Sequence, residues 1–205
     1  MIRVFSIFAA SCSVFTGSHA SDATIDFLSG HGLSHFQPVE DWHRVKRAVN
    51  VPDRMELTTS GKDGGVLVNG LLKDIALPYL MTVETFADVR VELEFMIPRG
   101  SNAGVYMMGR YEVQILDSYG KGKVGSGDLG SIYGSRNPSL PEGKRWVPGS
   151  KPLTNAANPP GRWQKMEIVF RAPRFDAKGA KIADARFDSV KINGKLVQKD
   201  VTCTY

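Results

Sequence analysis

Glu112 and Gln114 occupy alternate positions of "YEVQIL", a run otherwise made of the apolar and aromatic residues of a buried strand. Alternate residues of a strand share a face, so the carboxylate and the amide stand side by side. A carboxylate in apolar surroundings can accept a proton, and an amide beside it can orient a hydroxyl group. The rest of the chain offers less. Cys12 and Cys203 are its two cysteines, so no Cys-based zinc site is available. His31, His35 and His43 have neither triad nor metal-ligand spacing and read as exposed loop residues.

Residues 103–120, "AGVYMMGRYEVQILDSYG", read as a hairpin. With Gly109–Arg110 as a two-residue turn, Met108 pairs with Tyr111, Met107 with Glu112 and Val105 with Gln114. One face then carries Gly104, Tyr106, Met108, Tyr111, Val113 and Ile115 as core. The other carries Val105, Met107, Glu112 and Gln114. Periodicity alone favours a solvent-facing strand for that second face. The same pattern also describes a sugar groove, with apolar walls and a few fixed polar groups.

Strand signals dominate beyond residue 60. "VRVELEFMI" (89–97) alternates, with Val89, Val91, Leu93, Phe95 and Ile97 on one side and charges on the other. "WQKMEIVFRA" (163–172) does the same, with Met166, Ile168 and Phe170 inward. "FDSVKINGKLVQ" (187–198) carries Asn193–Gly194, a strong hairpin signal. "GVLVNG" and "GSIYG" supply shorter strands. Residues 118–161, which include "GSIYG", are a long excursion rich in Gly, Pro and Ser, and loops of that length usually carry function. "GKGKVG" and "GSGDLG" match G-x-G-x-x-G, but another strand follows them where a dinucleotide site needs a helix. No G-x-S-x-G elbow occurs. Many strands, one long loop region and almost no helix predict an all-β, antiparallel jelly-roll sandwich in a single domain, 21–205.

Residues 1–20 read as a secretory signal peptide: a basic start at Arg3, an apolar stretch, and a small residue at Ala20 before the expected cleavage point. Lipidation at Cys12 is the lesser alternative. No apolar run approaches the ~20 residues of a membrane-spanning helix. The net charge of +5 is scattered along the chain, without the aromatic interleaving of a nucleic-acid surface. The expected location is periplasmic or extracellular.

The segments "SNAGVYMMGRYEVQILDSYG", "GSIYG", "NAANPPGRWQKMEIVFRAPRFD" and "VKINGKLVQ" occur in this order. Together they resemble the 3-keto-disaccharide hydrolase family, associated with 3-keto-glycoside lyase and hydratase activity. The likeness runs from about Leu57 to Val197. It implies a concanavalin-like jelly roll acting on oxidised, 3-keto oligosaccharides or glycosides outside the cytoplasm.

That chemistry gives the polar face a purpose. A ketone at C3 acidifies the C2 proton; a base removes it, the C1 substituent leaves, and water adds back. The site needs a base near C2 and a cation or hydrogen-bond donor at the developing enolate oxygen. Glu112 is the candidate base, and Arg110 or Arg171 the candidate electrophile. Asn102, Gln114 and Tyr133 are the candidate substrate-binding residues. Asp117 is either a second acid/base or a turn residue. No cofactor is required, although a divalent metal held by Glu112, Asp117 and a histidine could replace the arginine. The alternative function is a non-catalytic, lectin-like module. Relatives continue past the Asn193–Gly194 hairpin with a closing strand that "DVTCTY" does not supply, so the end is expected to fray and Cys203 to be accessible.

Overall fold

The computed structural model describes residues 7–14, 23–29, 33–39, 42–52, 54, 56–69, 79–137 and 139–204. Those residues contain no helix. The strands are β1 (Ile7–Val14), β2 (Ala23–Ile25), β3 (Trp42–Val45), β4 (Arg47–Asn50), β5 (Leu57–Ser60), β6 (Val66–Asn69), β7 (Val89–Met96) and β8 (Asn102–Met107). They continue as β9 (Tyr111–Leu116), β10 (Ser135–Arg136), β11 (Trp146–Val147), β12 (Gln164–Arg171), β13 (Arg174–Phe175), β14 (Lys181–Ala183), β15 (Ala185–Ile192) and β16 (Lys195–Cys203).

One layer is an antiparallel sheet in the order β16-β15-β12-β7-β1-β6-β3, with β2 beside β1. Its central strands are those whose alternation is clearest in the sequence. Val89, Leu93 and Phe95 of β7, and Met166, Ile168 and Phe170 of β12, all face the main core. Asn193 and Gly194 take positive φ between β15 and β16, as the hairpin signal requires. Ile7–Val14, the apolar part of the expected leader, lies between β7 and β6.

The other layer is built on the β8–β9 hairpin. Tyr111, Val113 and Ile115 enter the main core with Met107, and the Tyr111 ring packs 5.6 Å from that of Phe170. The expected sandwich is therefore present: β9 faces β12 across a layer of apolar side chains. A satellite core of Val45, Ala48, Leu57, Val68 and Met96 fills the corner by β4 and β5.

Two expectations fail. Cys203 is 2% exposed and sits in the main core, because β16 continues to that residue and pairs along its length with β15. The outer side of β16 is also partly covered, since Leu153 N–H donates to Val197 C=O and Gln198 Nε2 donates to Gly130 C=O. His35 is not a plain exposed residue either. Its Nδ1 lies 2.9 Å from Glu84 Oε1 and its ring meets Phe27 edge-on. His43 is exposed, but on strand β3 rather than in a loop, while His31 lies outside the described residues.

Candidate active site

The hairpin register differs by one residue on β8 from the sequence expectation. Met107 pairs with Tyr111, Tyr106 with Glu112, and Gly104 with Gln114. The loop is three residues long, Met108 to Arg110, and Met108 and Gly109 have φ of 55° and 62°. Arg110 N–H donates to Met107 C=O at 3.1 Å. A methionine in the left-handed region is uncommon, so nothing in its type points to this turn. Because a one-residue shift exchanges the two faces of a strand, Val105 and Met107 turn toward the core and Tyr106 toward Glu112.

Glu112 now acquires its surroundings. Beneath it lies Gly104, where a Cβ would collide with Oε1 and stand 2.8 Å from Cδ. The absence of a side chain at 104 is what lets the carboxylate fold over the strand. Tyr106, directly across, hydrogen-bonds the carboxylate and also Tyr79, whose ring meets Tyr106 edge-on at 5.4 Å. On the other side of β9, residues 131–133 run alongside the strand, with Ile132 bridged to Val113. Gln114 N–H donates to Ser131 C=O and Tyr133 N–H donates to Glu112 C=O, both at 2.9 Å. Tyr133 in turn packs edge-on against Trp146, centroids 6.2 Å apart. Glu112 therefore lies between two aromatic pairs, Tyr79–Tyr106 and Tyr133–Trp146.

The electrostatics follow from this setting. Burial pushes the Glu112 carboxyl above the ordinary glutamate range, and the Tyr106 hydrogen bond offsets only part of that. Burial, then Glu112, then Tyr79 push the Tyr106 hydroxyl far up, so it stays protonated and acts as a donor. A carboxylate made more basic by its surroundings, with a fixed neutral donor beside it, is equipped to abstract a proton from carbon.

The remaining candidates divide. Gln114 shares the Glu112 face but is 4% exposed, and its Oε1 accepts from Ile115 N–H at 3.1 Å. It braces the strand more than it presents an amide to a ligand. Asn102 is on the same face, four pairs along the ladder from Glu112 toward the open end of the hairpin. Tyr133 adjoins Glu112 directly. Arg110 is exposed in the loop two residues from Glu112. Arg171 does not join them: it points outward from the opposite layer, where its Nε lies 2.6 Å from Asp188 Oδ2. Asp117 takes the turn role, its two carboxylate oxygens accepting from Gly100 N–H and Tyr119 N–H. Tyr106, Tyr79 and Trp146 are additions that the sequence reading missed. Tyr106 was lost to the register, while Tyr79 and Trp146 arrive from distant segments.

The metal alternative finds no ligand set here. Glu112 and Asp117 are five residues apart along one strand and its extension, roughly 16 Å, and His35 is engaged by Glu84. Among the described residues no three His, Cys, Asp or Glu side chains gather closely enough to share an ion.

The long loop is tied beneath this layer rather than dangling. Asp128 accepts from Ser118 Oγ at 3.0 Å and from Gly125 N–H at 2.7 Å, and it pairs with Lys121. Ser131 Oγ returns to Asp128 C=O at 2.7 Å. The glycines of "GSGDLG" thus form the tight turns that bring residues 130–133 alongside β9.

No curated protein matches the chain. Among solved structures, a protein from Parabacteroides distasonis, provisionally described as a glycosyl hydrolase, is 31% identical, with a TM-score of 0.47. The likeness covers 60% of this chain and 49% of that one, so the chain spans about half the length of the protein it matches. The family model described as the 3-keto-alpha-glucoside-1,2-lyase-like domain matches residues 24–204. That span begins just past the expected leader and takes in both layers of the sandwich, and on it the chain belongs to this family.

Proposed function

We propose that this protein cleaves 3-keto-glycosides by elimination and hydration, with Glu112 as the base. The observation that carries the reading is the Glu112 carboxylate itself: desolvated, raised in basicity, bonded to a neutral tyrosine hydroxyl and set between aromatic rings. Glu112 takes the C2 proton and the C–H electron pair moves into the C2–C3–O enolate; the enolate then collapses to form the C1=C2 bond as the C1–O bond breaks. The leaving oxygen takes that proton from Glu112 and departs as an alcohol. Water then adds across the double bond, hydroxyl to C1 and proton to C2, giving a free 3-keto-sugar. Net, one glycoside and one water become two hydroxyl compounds. Arg110, at the hairpin loop, is the cation proposed for the enolate oxygen, while Tyr106 spends its one hydroxyl proton on Glu112 and holds the base in place. Asn102 is proposed to orient a hydroxyl group and Tyr133 to contact the rest of the substrate.

Family membership supports a carbohydrate substrate, and the chemistry of Glu112 supports the elimination step. Incubation with a 3-keto-disaccharide, measuring free 3-keto-sugar, tests the reading. Release by the wild type and its loss in Glu112→Gln is the expected result. Binding of unoxidised glycans with no turnover of any keto-sugar would replace the enzyme by the lectin-like module. Export is proposed as well, from the basic start, the apolar stretch and Ala20. Cleavage after Ala20 would take β1 out of the sheet, and N-terminal sequencing of the exported protein would reveal it.

A further inference from the structure

The leaving group must rest on something, and the Glu112 face offers two sides that differ in chemistry. The Tyr79–Tyr106 side presents a chain of hydroxyls leading to the base. The Tyr133–Trp146 side presents an indole. Trp146 is 58% exposed, a large apolar surface to leave in water, yet it is well fixed. Its strand β11 pairs Trp146 with Arg136 of β10. Its ring lies against Gly134, where a Cβ would stand 2.5 Å from Cζ2 and 2.8 Å from Val147 C=O. Gly149, on the same stretch, abuts the backbone of residues 132–134 so closely that no side chain fits. Two glycines thus bring the segments together and seat the indole beside Tyr133.

We infer that Trp146, with Tyr133, forms the shelf on which the ring of the leaving group stacks, and so selects glycosides whose aglycone is itself a sugar ring. This rests on the proposed reaction. The oxidised ring needs a cation at its enolate oxygen and a base at C2, which Arg110 and the tyrosine-held Glu112 supply. The aglycone ring undergoes no chemistry at its carbons and needs only apolar contact with its C–H face. Tyr133 is one strand, roughly 5 Å, from Glu112, and the Trp146 indole lies beyond it with its centroid 6.2 Å from the Tyr133 ring, which suits the second ring of a disaccharide. Stacking there acts on binding rather than on the bond-breaking step.

The test compares two substrates, a 3-keto-disaccharide and the matching methyl 3-keto-glucoside, in wild type, Trp146→Ala and Trp146→Phe. The expected result in Trp146→Ala is a fall of about tenfold or more in the preference (the ratio of kcat/KM values) for the disaccharide, carried by KM. Trp146→Phe should restore part of it. An equal loss on both substrates, or no change in the ratio, overturns the shelf while leaving the reaction standing. Failure of the wild type to turn over either compound removes the reaction, and the shelf with it.

Discussion

Two glutamates in strands of opposite layers show how placement decides chemistry. Glu92 projects from β7 on the outer face of the large sheet, where Lys165 Nζ lies 3.2 Å and Arg90 2.6 Å from its carboxylate oxygens. The Lys165 hydrogen bond, outweighing burial, holds its carboxyl below the ordinary range. Glu112 projects from β9, and among the described residues no cation offsets its burial, so its carboxyl is held above that range. Other carboxylates on that side of the molecule are paired as well: Arg171 and Arg186 share Asp188, and Arg174 meets Asp88. Such pairs are satisfied and chemically idle. A carboxylate left with a tyrosine and a glycine instead is available for a proton.

The largest effect should come from removing the base. Glu112→Gln is expected to lower turnover of a 3-keto-disaccharide by about 10²–10⁴-fold, since an amide cannot accept the proton. Its effect on stability should have the opposite sign. A glutamate raised in the fold binds its proton more tightly folded than unfolded, so its ionisation costs stability as pH rises through and above 4.5. Glu112→Gln should therefore be no less stable than wild type at pH 7. Near-normal turnover in this variant would end the comparison, because the carboxylate in the hairpin layer would then be as idle as Glu92.

Gly104→Ala attacks the same site from below. A methyl there meets Glu112 Oε1 and Cδ, so either the carboxylate swings off the strand or the backbone shifts. We expect activity to fall by one to two orders of magnitude and stability to drop by roughly 1–3 kcal/mol. Denaturant unfolding and kinetics on the same preparation separate the two. Full activity in Gly104→Ala would show that the observed carboxylate position is not the working one.

How much of this was legible beforehand follows the regularity of the two layers. β7, β12 and the β15–β16 hairpin keep a strict alternation, so their inward residues could be read directly, and Asn193–Gly194 fixed one register. Arg171 could have been set aside on the same grounds, because its alternation opposes Phe170, which packs on the hairpin. The site layer was less readable, because its turn places Met108 at positive φ against its residue preference. Expecting Gly109–Arg110 there kept β9 right and turned β8 over, which hid Tyr106. Tyr79 and Trp146 reach the site through contacts between distant segments, which no local pattern records. Cys203 was misjudged because burial at a chain end depends on pairing with β15, a partner whose inward face runs to Ala185.

Tyr106→Phe should act more gently and in a defined direction. The hydroxyl stabilises the ionised form of Glu112, so removing it leaves burial unopposed and raises that carboxyl further. The reaction requires ionised Glu112, and the acid limb of kcat/KM against pH should move to higher pH. At pH 5–6 the variant should lose more activity than at pH 8. A limb that stays in place would mean that Tyr106 serves only to fill space beside Tyr79.

The smallest effect belongs to the other layer. Glu92→Gln removes a paired surface carboxylate far from the hairpin, and 3-keto-disaccharide turnover should stay within about twofold of wild type. Stability should decline by roughly 0.2–1 kcal/mol at pH 7, the usual scale for partly exposed ion pairs. The pH dependence then mirrors that of Glu112→Gln. A carboxylate lowered in the fold contributes stability that is present above its unfolded value of 4.5 and is lost as pH falls through its folded one. The gap between Glu92→Gln and wild type should therefore close in acid, while the corresponding gap for Glu112→Gln opens as pH rises above 4.5. Denaturation midpoints for both variants at pH 3 and pH 7 measure the two signs directly. If both gaps run the same way, the two carboxylates do not sit in opposite electrostatic settings, and burial does not distinguish Glu112 as the base.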